Sequence, residues 1–495
     1  MRRVREQPYP LFRWKTLAGA LALSSPLLLT ALVGYRLFSL HGSIGLYRAV
    51  PGVRLAWRGI VLLSLLLPLA TLLMLRREYA SGARNGRGRA WLVVLAWLLM
   101  AAAVLLPTSV YGQITSWKER RCGDKPPLLL ITEREGSHGI PDLALVFWTV
   151  EDSRNRVEWS KAGCPYRTEM EECPSQTHVF FFRDLEPGSE YYYRINGSDP
   201  MYFRAPPSGS EEGLRFAVAS DSHFGLEGAD RGSIREALDS IDRGEERADL
   251  LFIAGDLVDR GYDDRHWQEA LAMLGEEIAD LPTAIVPGNH DTMLGGVDLF
   301  IRYLYPWNHS EKGAPELWRR VDAGDIHFLL LDLEWGAESG PSGQREWLER
   351  QLSSIPPEEW TVVISHHYFF SSGGRLKGAM RYDDAQMIEA YVPLFREGGV
   401  DLVVSGHNHH LELLEDGGVA YAVVGAMGGK EPGPLERVSP ASVWRGGTYR
   451  GYLLVEVKED SLLLDFRGCD GRVLGSFALE GGRVIRLAEE PAAVP

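Results

Sequence analysis

Four cysteines in 495 residues are too few for a disulfide-stapled scaffold, and without a CxxC pair there is no zinc knuckle or dithiol redox centre. The 53 glycines and 28 prolines follow no collagen-like period, and 45% hydrophobic residues with 24% charged ones exclude a disordered chain. Acidic residues are nearly missing from the first 125 positions, which hold four Asp and Glu against 18 Lys and Arg. The remaining residues reverse this, with 63 acidic against 34 basic side chains. The overall charge of −15 is therefore the sum of a cationic front segment and a strongly acidic remainder. A length of 495 residues predicts two to four domains.

The basic segment contains three apolar stretches, Thr16 to Val33, Gly59 to Leu75 and Ala90 to Val110. None contains a Lys, Arg, Asp or Glu, and each has about the length that a ~30 Å hydrocarbon core demands of a helix. Pro26 and Pro68 kink such helices, which membranes tolerate. The expectation is a membrane anchor over 1–125. Arg2, Arg3, Arg5, Arg13 and Lys15 in the tail, with the arginines between the second and third stretches, favour a cytoplasmic N-terminus. Three crossings then put everything after Tyr111 outside. Were the first stretch a cleaved signal peptide, two crossings would leave the same outcome. The predicted location is a multi-pass protein of the cell membrane with its large domain extracytoplasmic.

Cys164 and Cys173 frame a polar loop, CPYRTEMEEC, that a disulfide can close in such a compartment. Cys122 and Cys469 can pair or stay free. From 126 to 207 short alternating runs (LLLITER, LALVFWTV, RVEWS, HVFFFRDL, SEYYYRI, MYFRAP) are separated by turn formers, the pattern of an antiparallel sandwich. Tyr191 to Tyr193 then alternate between core and surface. The stretch from Phe180 to Pro207 resembles a fibronectin type III-like module, and a PPSGSEEG linker, Pro206 to Gly213, follows it.

From Leu214 to about 490 the texture is α/β. Five strand-like runs each end in ligand-type residues: Asp221 and His223; Asp256 and Asp259; Asn289, His290 and Asp291; His366 and His367; His407 and His409. Functional groups collect at the carboxyl ends of strands in α/β sheets, so these five ends can converge. Helices predicted over 232–243, 267–278, 343–352 and 384–396 supply the crossovers. Carboxylates, imidazoles and an amide suit hard or borderline divalent ions, and a two-metal site needs one carboxylate able to bridge. The tail strands around TYRGYLLVEVKEDSLLLDFRG are expected to close a second sheet.

The five ordered blocks resemble the calcineurin-like metallophosphoesterase superfamily, whose pattern is DxH, GDxxD, GNHD/E, H and GHxH. The resemblance implies a four-layer α/β/β/α fold and two divalent metal ions, Fe, Mn or Zn. It assigns Asp221, His223 and His409 to one ion and Asn289, His366 and His407 to the other, with Asp256 bridging. It further implies hydrolysis of phosphate mono- or diesters by a metal-bound hydroxide. The sandwich followed by this domain resembles purple acid phosphatases too. That family has DxG in the first block and Tyr in the second, where this chain has His223 and Asp259, so a colourless site is expected.

His290 is the candidate general acid, with Asp259 orienting its ring. Arg260 is a candidate phosphate clamp, set against a surface ion pair. His367 and His410 are expected to support neighbouring ligands, and Asp291 to cap a turn. The basic stretch between His367 and Tyr382, with Arg375, Lys377 and Arg381, is either a mobile surface loop or a lid that steers an anionic substrate. A small phosphoester or a lipid headgroup is the expected partner, and the negative outer part argues against a nucleic-acid polymer. The competing reading is a metal-binding sensor of weak activity, or a membrane-associated interaction protein.

Overall fold

The computed structural model describes residues 116, 117, 119 and 123–489, apart from the short segments 133–138, 308–315, 335–342, 377–378, 426, 430–434 and 448–449. The three apolar stretches of the predicted anchor lie outside the described residues. Among the described residues no helix is long and apolar enough to cross a membrane. The chain from Lys118 to Pro495 is one compact unit.

Seven strands come first: β1 (Lys125–Ile131), β2 (Leu143–Ser153), β3 (Arg156–Lys161), β4 (Arg167–Met170), β5 (Ser175–Phe182), β6 (Glu190–Ile195) and β7 (Met201–Arg204). They form an antiparallel sandwich with sheets β1-β2-β5 and β4-β3-β6-β7. Tyr191 and Tyr193 point into its core while Tyr192 faces out, the alternation expected of one strand. Cys164 and Cys173 are exposed free thiols. The disulfide expected between them is not formed, and the short strand β4 runs between the two positions.

The α/β region begins with β8 (Arg215–Ala219), α1 (Arg231–Arg243), β9 (Leu250–Ile253), α2 (Asp264–Glu277) and β10 (Thr283–Ile285), followed by α3 (Asn289–Thr292) and α4 (Val297–Leu304). Strands β8, β9 and β10 are parallel neighbours, as alternation of strand and helix requires. Each is buried on both faces. Phe216, Val218, Leu250 and Phe252 face the second sheet, whereas Ala217, Ala219, Leu251 and Ile253 meet Ile234, Leu238 and Trp267 of α1 and α2.

The second sheet contains β11 (Arg319–Ala323), β12 (Ile326–Leu330), β13 (Trp360–Ser365), β16 (Leu402–Ser405), β17 (Leu411–Asp416), β18 (Val419–Val424) and β19 (Ser442–Arg445). A small hairpin, β14 (Arg375–Leu376) and β15 (Ala379–Met380), precedes β16. Helices α5 (Gln344–Leu352) and α6 (Ala385–Glu397) cover the outer face through Leu348, Leu352, Met387 and Phe395. The described helices match the predicted ones to within three residues. The short α3 and α4 were not anticipated, because four and eight residues carry little periodic signal.

Two expectations change. The tail strands β20 (Gly451–Val457), β21 (Leu462–Gly468), β22 (Val473–Glu480) and β23 (Arg483–Glu489) do not close the second sheet. They extend the first, because β20 pairs antiparallel with β8, Leu453 opposite Val218. The boundary at 207–214 is likewise not a break between sheets. Strand β1 pairs parallel with β10, so β1, β2 and β5 complete a ten-stranded sheet in the order β23-β22-β21-β20-β8-β9-β10-β1-β2-β5. Lys125, at the start of β1, is buried with its ammonium 3.4 Å from Asp264 of α2.

A fragment starting at residue 214 loses β1, β2 and β5 and turns β10 into an open edge, which invites aggregation. The expected outcome is a monomer for residues 118–489 and an aggregating or much less stable product for 214–489. Size-exclusion chromatography with thermal melting checks it. Equal melting temperatures would contradict the shared sheet.

Candidate metal centre

Every expected ligand follows the carboxyl end of a strand: Asp221 and His223 after β8, Asp256 after β9, Asn289 after β10, His366 after β13, and His407 and His409 after β16. The backbone there is unusual. Asp221, His223, Asp256 and His407 have φ of 58°, 49°, 51° and 64°, a left-handed conformation that costs a non-glycine residue about 1–3 kcal/mol. Burial and hydrogen bonding impose it: His407 N donates to Asp221 Oδ2 at 2.9 Å and His223 N to Asp256 O at 3.0 Å. Glycine is required beside these turns, since a Cβ on Gly288 would sit 2.1 Å from Asp256 N.

Two clusters result. In the first, His223 Nε2 lies 3.3 Å from His409 Nε2 and 3.6 Å from Asp221 Oδ1, and His409 Nε2 lies 3.2 Å from Asp221 Oδ1. In the second, His366 Nε2 lies 3.0 Å from Asn289 Oδ1, 3.1 Å from His407 Nδ1 and 3.4 Å from Asp256 Oδ1. The other oxygen of Asp256, Oδ2, stands 3.6 Å from His223 Nε2. One carboxylate thus presents an oxygen to each cluster.

These separations test the fit of a metal. Atoms about 2.1 Å from a common ion lie roughly 3.0–3.4 Å apart, and the separations here run from 3.0 to 3.6 Å. Asp221 Oδ1 is buried without a hydrogen-bond partner, a state a carboxylate oxygen tolerates when a cation takes it. Both clusters have atoms close enough to share an ion. Second-tier contacts fix the ligands: Ser220 Oγ donates to Asp221 Oδ2 at 2.6 Å, and His366 Nδ1 donates to Ala254 O at 2.9 Å, leaving Nε2 for the centre.

The electrostatics agree. Burial opposes charge on Asp221 and Asp256, yet nearby imidazoles, His223 and His409 for the first and His366 and His290 for the second, hold both below the ordinary carboxylate range. Burial pulls His366 down, but Asp256 outweighs it and raises His366 to about 9. Burial and then the Arg381 charge hold His407 well below the usual histidine range.

His290 lies beside both clusters, its ring 4.7 Å from that of His223. Its Nδ1 is 2.8 Å from the backbone carbonyl of Asp259 and 3.5 Å from the Asp259 carboxylate. The carbonyl therefore accepts the Nδ1 proton and orients the ring, the task expected of the side chain. Arg260 is about half exposed, with Nε 3.5 Å from Asp259 Oδ2, in the surface ion pair that was the alternative to a clamp. Asp291 accepts from Val258 N and Gly288 N, each at 3.0 Å, and burial followed by the Asp256 charge raises it to about 7. His367 pairs with Asp384 and His410 with Glu412, as supports and not in either cluster.

The sequence reading missed Ser220 and Glu334. Ser220 ends an apolar run and carries no motif signal, and Glu334, which accepts from Thr292 Oγ1 at 2.5 Å, is distant in sequence from every block. Arg381, part of the expected lid, donates from Nη1 to His407 O at 2.8 Å.

Residues 214–411 match the calcineurin-like phosphoesterase family, and this part of the chain is a metallophosphoesterase domain. Its homologues include purple acid phosphatases. Purple acid phosphatase 18 of Arabidopsis thaliana is 26% identical over 277 residues, covering 52% of this chain and 60% of the relative. A second Arabidopsis thaliana protein, named probable inactive purple acid phosphatase 1, is 21% identical over 376 residues, covering 65% of this chain and 60% of that one. The chain thus spans about three fifths of each relative's length. The solved structure of purple acid phosphatase PPD1 from yellow lupin (Lupinus luteus) superposes with a TM-score of 0.60 at 18% identity, covering 72% of this chain and 74% of the other. The likeness is one of fold. The family implies a dinuclear divalent metal site.

With its pKa near 9, His366 carries a proton on Nε2 at pH 7 in the metal-free protein, and that proton must leave for a metal to bind. Metal affinity should therefore rise with pH up to about 9, with about one proton released per binding event at pH 7. Calorimetric titration with Mn²⁺ in buffers of different ionisation enthalpy measures this. Proton release that is zero at pH 7, or unchanged at pH 10, would contradict it.

Proposed function

We propose that this protein is a membrane-anchored, extracytoplasmic, dinuclear metal-dependent phosphoesterase acting on phosphate mono- or diesters. The observation that carries the reading is Asp256, whose two oxygens face two separate clusters of buried ligands. Asp221, His223, His409 and Asp256 would hold one ion, and Asn289, His366, His407 and Asp256 the other. Two such ions would acidify a water molecule and offset charge on the phosphoryl oxygens. The sandwich of three and four strands supports a fibronectin type III-like module ahead of the domain. The anchor rests on the three uncharged stretches and their basic flanks.

The chain's own groups perform the remaining work. The Asp259 carbonyl fixes Nδ1–H of His290, so Nε2 is the atom offered to a leaving oxygen. Burial keeps the His290 imidazole below the ordinary histidine range, and the negative charge of a bound phosphoester raises it, so the ring gains its Nε2 proton as substrate arrives. Arg381, held on the His407 carbonyl, brings positive charge to the rim, and we assign it the anion-steering role in preference to Arg260. A complete ligand set favours catalysis over a weakly active sensor.

Asp256→Ala and Asn289→Ala are expected to abolish hydrolysis of aryl phosphate mono- and diesters by the Mn²⁺- or Zn²⁺-loaded protein, and unchanged turnover would refute the site. His290→Gln should lower kcat by roughly 10²-fold or more for alkyl leaving groups and far less for 4-nitrophenolate. An equal loss on both would remove His290 from the acid role. For topology, protease added outside intact cells should cut the catalytic domain, and protection until lysis would reverse the orientation.

A further inference from the structure

Among the described residues, 14 buried side-chain polar atoms have no hydrogen-bond partner, and Arg319 alone carries two of them. Two of them, Asp221 Oδ1 and His223 Nδ1, belong to the metal ligands. Four more lie on three residues elsewhere: Arg302 Nη1, Trp318 Nε1, and both Nε and Nη1 of Arg319. All four are donors.

Arg319 opens β11 and is only 3% exposed. Its Nη2 donates to Ile131 O, at the end of β1, at 3.3 Å, and its guanidinium lies 4.4 Å over the Tyr305 ring. Among the described residues no carboxylate pairs with it. Tyr305 caps the C-terminal end of α4. Tyr305 donates its hydroxyl to Ile285 O at 2.9 Å, at the end of the strand that leads to Asn289. Register places the corner on the metal-bearing edge, since Arg319 pairs with Leu330 and Leu330 with Ile364, two residues before His366. Two strand spacings separate Arg319 from β13, roughly 10 Å.

A guanidinium stays charged at every physiological pH, and burying one without a counter-ion is costly. The Tyr305 face offsets part of that cost and leaves the donors unfilled. A negatively charged, acceptor-rich group fills them. We propose that Arg319 anchors a second oxyanion site, separate from the metal clusters, that takes a phosphate or carboxylate group. The group arrives as a free anion or as the distal charge of a substrate whose phosphoester is held at the metals. The second source rests on the phosphoesterase reading, and the first does not.

The test uses the full chain stripped of metal with chelator, so that phosphate cannot bind through ions. Thermal melting is followed against inorganic phosphate and, separately, acetate. The wild type should show a saturable rise in melting temperature with at least one of them. Arg319→Gln should move the half-saturating concentration by roughly tenfold or more and should raise the anion-free melting temperature, because it removes an unpaired buried charge. No saturable shift in the wild type, an equal shift in Arg319→Gln, or a lower anion-free melting temperature in that variant would each overturn the site.

The metal-loaded protein then separates the two sources. A rise in KM confined to phosphomonoesters bearing a second phosphate, in Arg319→Gln, assigns the site to substrate. Anion binding with unchanged KM values assigns it to the free ion. Wild-type protein without turnover on any phosphoester would refute the phosphoesterase reading and leave the melting result standing.

Discussion

The negative charge buried on Asp221 and Asp256 is the constraint around which this structure is arranged. Two carboxylates away from water survive only with compensation in place, and each element near them supplies part of it. Imidazoles come from the ends of four strands in two different sheets, backbone amides from His290 and His407, and a hydroxyl from Ser220. The strained left-handed backbone at four of the ligands is the cost of bringing so many donors to one place. Glycines at 288 and 406 are the complement of that crowding, because any side chain there would collide with the Asp256 backbone or with Ser220.

Convergence of this kind depends on the sheets being rigid. The three apolar layers, one between the sheets and one on each outer face, hold the strand ends in register, so residues up to 186 positions apart, Asp221 and His407 among them, meet at hydrogen-bond distance. Burial of each large apolar side chain contributes about 1.5–3 kcal/mol, and many such contributions outweigh four strained residues. The domain's fold, shared with a plant purple acid phosphatase at low identity, shows that this architecture persists while most side chains change.

Much of the site was legible in the chain because strand-end motifs are local: an apolar run followed at once by Asp-x-His or Gly-Asn-His carries both the strand and the ligand. What could not be read was non-local. Nothing in TYRGYLLVEV indicates that it lies beside β8 and not on the second sheet, since an antiparallel strand buried on both faces fits either position. Nothing in LLLITER distinguishes a strand of a free-standing sandwich from one that pairs with β10. The choice of Asp259's carbonyl over its carboxylate to hold His290 is a matter of backbone direction, which residue identity does not encode. Arg319 reads in sequence as one more surface arginine, and only packing reveals it as buried.

The parallel pairing of β1 with β10 has a mechanical meaning. A strand that belongs to the ligand-bearing sheet, pinned at its first residue by the buried Lys125–Asp264 pair, has no hinge within that sheet. Tension applied at residue 125 runs along β1 and loads its hydrogen bonds to β10 and β2 in shear, where several must break together. The sheet edge bearing Asn289 is thus held in a set position relative to Lys125, the first residue of β1, so a pull on that residue is felt by the strand ends that carry the ligands.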